Sequence, residues 1–131
     1  MTKHLINAHT HAVIADAVEL ADDRETRNRG LLGRDGLEPG AGLALTPCFA
    51  IHTFFMRFPI DVVFLDRYGF VRRVVHRLGP WRLAVVPGAR MVIELEAGAA
   101  QKQRIREGDN LYLASPTASA GRGDGGVVTA A

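Results

Sequence analysis

The sequence predicts a mainly β (α+β) fold: a small rolled sheet or open β-barrel with one short helix near residues 23–32. Three observations lead there. The chain holds many short β-branched or apolar runs separated by Gly and Pro. Only one stretch combines capping chemistry with charged helix formers. Its 131 residues, 47% hydrophobic and 23% charged, suit one core rather than two. A single β-rich domain over residues 1–114 is therefore expected, followed by a disordered tail at 115–131, where SPTASAGRGDGGVVTAA has no apolar period.

Residues 3–8 and 11–20 alternate roughly between apolar and polar positions and predict a strand pair. In ADDRETRNRGLLGR, Asp22 or Asp23 can cap, charged helix formers follow and Gly33 suits a helix end, which gives the helix over about 23–32. DGLEPGAG is turn chemistry. Short strands then follow between breakers: LALT at 43–46, FAIHTFFMRF to residue 58, and IDVVFLD at 60–66 after Pro59. DRYG at 66–69 reads as a tight hairpin turn with Gly69 at a positive-φ position, and FVRRVVHRL at 70–78 is its return strand. Another short strand falls near 83–86. MVIELE at 91–96 places Met91, Ile93 and Leu95 on one face and Val92, Glu94 and Glu96 on the other. AGAAQKQRI suits one helical turn, and EGDN turns into a last strand at 111–114.

The net charge of +2 is small, but its distribution is uneven. Between Asp66 and Glu94 there is no acid, while Arg67, Arg72, Arg73, Arg77, Arg82 and Arg90 fall there. Residues 16–38 carry seven acids against four arginines. A single cysteine rules out an internal disulfide, and no apolar run approaches the ~20 residues of a membrane-spanning helix. With no signal-peptide pattern at the start, a cytoplasmic protein without membrane partners is expected.

The blocks RNRGLLGR (27–34), PGAGLAL (39–45), HTFFMRFPIDVVFLD (52–66), Gly69, VIELEAG (92–98) and EGDNLYL (107–113) occur in one order. Together they resemble the bacterial and archaeal domain of unknown function family 192, over about residues 12–114. The resemblance implies a compact β-rich single domain and supplies no activity. The family's characteristic positions map to Gly30, Leu31, Arg34, His52, Met56, Asp61, Asp66, Glu94, Gly98, Gly108 and Asp109. Two departures stand out: the GML-type segment reads GLA here, and Phe55 stands where Trp is common.

Cys48 and His52 would be about 13 Å apart on an extended strand at ~3.3 Å per residue, beyond the ~3 Å reach of a catalytic dyad. Cys48 therefore reads as a packing residue. His9 and His11 could share a strand face, but no third ligand accompanies them and no CxxC or HExxH spacing exists, so no metal or cofactor is expected. Asp66 and Asp109 read as turn residues bonding their local backbone. Arg34 and Asp61 carry most interest. A carboxyl group inside IDVVF needs a cation or several donors, and an arginine fork can supply them. The plain reading is an ion pair tying the helix end to the sheet. The functional reading has Arg34, His52, Met56 and Asp61 line one end of the barrel, in a non-enzymatic binding module for a small anionic ligand or a protein partner. The alternative is nucleic-acid binding through Arg67, Arg72, Arg73, Arg77, Trp81 and Arg82. A hydrolase-like site around His52 and Asp61 ranks last, because no nucleophile elbow, P-loop or metal signature accompanies it.

Overall fold

In a computed structural model, which describes residues 2–116, the chain builds nine strands and two short helices among the described residues. They run β1 (Thr2–Asn7), β2 (Val13–Ala21), α1 (Arg24–Arg29), β3 (Ala41–Leu45), β4 (Ala50–His52), β5 (Ile60–Leu65), β6 (Val71–Leu78), β7 (Leu83–Val85), β8 (Met91–Glu96), α2 (Ala99–Lys102) and β9 (Leu111–Ala114). Seven strands form one sheet in the order β6-β5-β8-β3-β2-β1-β9, and β4 pairs with β7 in a separate two-stranded sheet. All neighbours in the large sheet are antiparallel except β2 and β3, whose parallel connection passes through α1. The tail expected to be disordered falls almost wholly outside the described residues.

The sheet rolls until its two edges meet at one corner. Phe70 bridges Asn110, Val71 N donates to Asp109 O at 2.8 Å, and Leu111 N donates to Gly69 O at 2.9 Å. No ladder joins β6 to β9, so the barrel stays open. Gly69, at φ 88°, is needed at this corner twice over: for its turn, and because a Cβ would sit 2.5 Å from Leu111 O.

The central strands are covered on both faces, which places every residue of β5 in the interior. Val63 and Leu65 join Ile93, Leu95 and Ala44 in a core closed over by Leu5, Ile14, Val18, Leu111 and Leu113 of the rolled half. Ile60, Val62 and Phe64 join Val92, Leu43 and Leu45 in a second core, closed by Leu31, Ile51, Met56 and Ala84. Met91, Ile93 and Leu95 thus share a face as their alternation predicts. The opposite face, with Val92 and Glu94, lies under the β4–β7 lobe.

Local chemistry explains the elements. Asp23 caps α1, its side chain accepting from Thr26 N at 2.8 Å. The helix ends at Gly30 rather than near residue 32, because Gly30 turns to φ 50° and drops Leu31 into the second core. The expected strand from 49 to 58 is confined to Ala50–His52, since residues 53–59 form a turn and irregular loop. Thr53, fully buried, imposes this. Its hydroxyl donates to Gly79 O at 2.6 Å and accepts from Arg82 N at 2.9 Å, so the chain is pinned to the β6–β7 loop where a ladder would otherwise continue. His9 and His11 lie in the turn between β1 and β2, His11 at φ 64°, so strand alternation does not place them on one face.

Candidate functional site

Asp61 and Glu94 are the two carboxyl groups of the sheet interior, and strand parity separates them. Glu94 lies opposite Leu43 on β3 and Val62 on β5, so it faces the second core. Asp61 lies opposite Leu95 and faces the first.

Asp61 is fully satisfied. Oδ1 accepts from Arg77 N at 2.8 Å, and Oδ2 accepts from Gly98 N at 3.0 Å and Ala100 N at 2.8 Å. The carboxyl group closes the start of α2 onto β5 and β6, and no guanidinium among the described residues touches it. The expected Arg34–Asp61 pair is therefore absent. Arg34 instead reaches Glu19 of β2 with two bonds, 3.1 and 3.3 Å, in a pair exposed to solvent. Three backbone amides meet the need that the sequence reading assigned to an arginine.

Glu94 is the opposite case. Its side chain is 4% exposed, no described residue donates a hydrogen bond to it, and it forms part of the wall of a cavity of about 350 Å³. The cavity lies between residues 27–32, at the end of α1, and residues 48–52, which lead into and form β4; Leu45 and Met56 add apolar lining, while Arg27, Asn28, Arg29 and His52 make the wall polar as well. Burial pushes the Glu94 carboxyl up to about 7, and the Arg34 charge opposes the shift. Cys48 lines the same space; burial pushes its thiol up and the Glu94 charge adds to that. The thiol lies 3.1 Å from Ala50 O.

Of the four residues expected to converge, His52 and Met56 line this cavity, whereas Arg34 stands outside its wall and Asp61 occupies the far side of the sheet. The same separation removes the His52–Asp61 arrangement that a hydrolase would need. Glu94, Cys48 and Leu45 belong to the site and were not among the sequence candidates for it. The family resemblance marked Glu94, and its parity set it apart from Met91, Ile93 and Leu95, but nothing local shows that its face is roofed.

The arginines of the alternative reading are dispersed. Arg67 sits in the β5–β6 turn with its guanidinium 4.7 Å from the Tyr68 ring centroid, and Arg72 approaches Asp66 at 3.9 Å. Trp81 and Arg82 lie beyond the other end of β6, about 25 Å of strand away at ~3.3 Å per residue. Arg73 and Arg77 lie between them, Arg77 at φ 51° with its amide committed to Asp61. Trp81 belongs to a different cluster: its ring stacks on Phe54 at 5.8 Å and meets Phe55 at 4.6 Å, and Phe54 stacks on His52 at 4.8 Å.

These features define a rolled mixed-sheet domain with a cleft between its helical connection and a small two-stranded accessory sheet. The chain belongs to the DUF192 family, described as "Uncharacterized ACR", whose sequence profile matches residues 5–113. None of the curated proteins matches it in sequence. Two crystal structures are similar in fold. One is a protein of unknown function from Novosphingobium aromaticivorans DSM 12444, with TM-score 0.72 and 20% identity, covering 83% of this chain and 81% of that one. The other, from Sinorhizobium meliloti 1021, is described as "a putative transcription regulator", with TM-score 0.73 and 24% identity, covering 85% and 91%. No helix among the described residues is long and apolar enough to cross a membrane.

Proposed function

We propose that the protein is a non-enzymatic binding module whose site is the cleft between residues 27–32 and β4. The observation that carries this is Glu94: on a residue only 4% exposed, its carboxyl group takes no hydrogen bond from a described residue and opens instead into a cavity of about 350 Å³. Carboxyl groups inside a fold ordinarily bond to the protein, so one that opens instead into a cavity lined by both polar and apolar side chains is suited to a donor brought from outside. The ligand therefore presents a hydrogen-bond donor to Glu94 and an apolar stem to Leu31, Leu45, Ile51 and Met56. Arg27 and Arg29 also line the cavity, so the small anionic ligand expected from an arginine-centred site is the competing occupant, and a carboxylate probe distinguishes the two. Transcription, in the description of the Sinorhizobium protein, would need a nucleic-acid surface; here the arginines are dispersed and the longer described helix has six residues, which gives that reading less support.

A nuclear magnetic resonance titration with n-butylamine, butyramide, n-butanol and butyrate tests the proposal. The first three are expected to shift the Glu94, Ile51 and Met56 signals, and Glu94→Leu is expected to abolish the shifts. A preference for butyrate, or no change at these residues with any probe, would refute it.

A further inference from the structure

Strand β4 has a neighbour on one side only. In an antiparallel ladder, successive residues alternately turn both backbone groups toward the partner and both away. Val86 N donates to Phe49 O, and Thr53 N donates to Arg82 O, each at 2.9 Å. Ile51 lies opposite Ala84, midway between these two pairs. Residues 49, 51 and 53 thus serve β7, while Ala50 and His52 direct their N–H and C=O groups to the other side. Among the described residues no backbone group meets either N–H there, and the Cys48 thiol is the one side chain hydrogen-bonded to this edge. The cavity adjoins that side: Cys48, whose thiol meets Ala50 O on the free edge at 3.1 Å, lines it together with Ala50, Ile51 and His52. A strand edge left open beside a cavity is a template for another strand.

We propose that the cleft binds an extended peptide segment, which adds as a strand to the free edge of β4 and sends a donor-tipped side chain, lysine foremost, into the cavity to Glu94. The assignment rests on the cleft being a binding site and names its ligand class. Backbone pairing supplies what a small molecule lacks, and the alternation of side chains along the segment sends one anchor inward while its neighbours pass over the rim. That rim is apolar and pre-shaped. Phe54, Phe55 and Trp81 continue outward from His52, with Phe55 71% and Trp81 58% exposed. Phe55 and Trp81 both sit at positive φ, 67° and 64°, in the loops that Thr53 clasps together. Side chains pay for such backbone only where the surroundings enforce it, and here the result is an aromatic surface held in place beside the open edge. Exposed Trp and Phe of this kind anchor partners.

The test is selection from a display library of random twelve-residue peptides on the full chain, followed by synthesis of the best binder in three forms: unmodified, and N-methylated at the amides of either parity. Methylation at one parity is expected to weaken binding by about five-fold for each hydrogen bond lost, and methylation at the other to leave it unchanged. Replacing the anchoring lysine by norleucine is expected to weaken the complex with the native chain but not with Glu94→Leu. Enrichment of no peptide, or equal tolerance of methylation at both parities, overturns the proposal. If the butylamine titration still moves the Glu94 signals, peptide recognition alone has failed; silence in both experiments overturns the binding site as well.

Discussion

Glu94→Gln tests the central claim about the site through stability, without any ligand. In the unfolded chain the Glu94 carboxyl titrates at its ordinary value of 4.5, and burial holds it up to about 7 in the folded protein. Between these values the folded state keeps a proton that the unfolded state has released, so Glu94 lowers stability as pH rises through that window. Its contribution is fully retained below pH 4.5 and fully lost somewhat above 7. A difference of about 2.5 in pKa, at 1.36 kcal/mol each, makes the loss of order 3 kcal/mol, a large share of a domain's usual ~5–15 kcal/mol. Glutamine keeps the shape and does not ionise. Urea unfolding of the two proteins across about pH 4 to 8 isolates the effect, because every other titrating group cancels in their difference. Relative to Glu94→Gln, the native protein is expected to lose of order 3 kcal/mol across this range. A difference that stays flat with pH would show instead that water reaches the carboxylate freely and that Glu94 is not held protonated by burial.

Other substitutions separate structural from functional polar groups. Asp61→Asn is expected to cost about 3–5 kcal/mol, because one carbonyl oxygen cannot serve three backbone amides and the new NH2 group opposes them; a urea-derived loss below about 1 kcal/mol would contradict this. Gly69→Ala is expected to cost about 2–3 kcal/mol through its positive φ and the clash with Leu111 O, with faster hydrogen exchange at Val71 and Leu111 as the local sign. Arg34→Ala breaks an exposed pair and is expected to change stability by less than about 1 kcal/mol in thermal unfolding near pH 5. The same variant should raise the Glu94 titration midpoint further, as followed by carboxyl carbon resonance.

What the sequence makes legible is what local pattern controls. The Asp23 cap, the Gly69 turn and the shared face of Met91, Ile93 and Leu95 each follow from a few neighbouring residues, and each is found in the fold. The strand expected through residue 58 fails because a distant event overrides a local one: Thr53 binds the backbone at Gly79 and Arg82, and no pattern in HTFFMRF records that. The site is half legible for the same reason. His52 and Met56 do meet at one cavity. Charge alone pairs Asp61 with Arg34, but its partners are backbone amides, and every residue type except proline carries one.

The two interior carboxyl groups show how one sheet separates architecture from function. Both stand among apolar neighbours on central strands, and in the sequence both look like groups in need of a partner. Asp61 is tied to positions 77, 98 and 100, so the parts that would form a site around it are consumed in closing the fold. Glu94 faces the side where the cover comes from the short two-stranded β4–β7 sheet and the turn at Gly30, which leave a gap between them. Closing that gap with several apolar side chains and pairing Glu94 internally would give a quieter core. The open carboxyl group, the unpaired edge of β4 and the exposed aromatic rings converge on one side of the molecule, and a single extended ligand would satisfy all three.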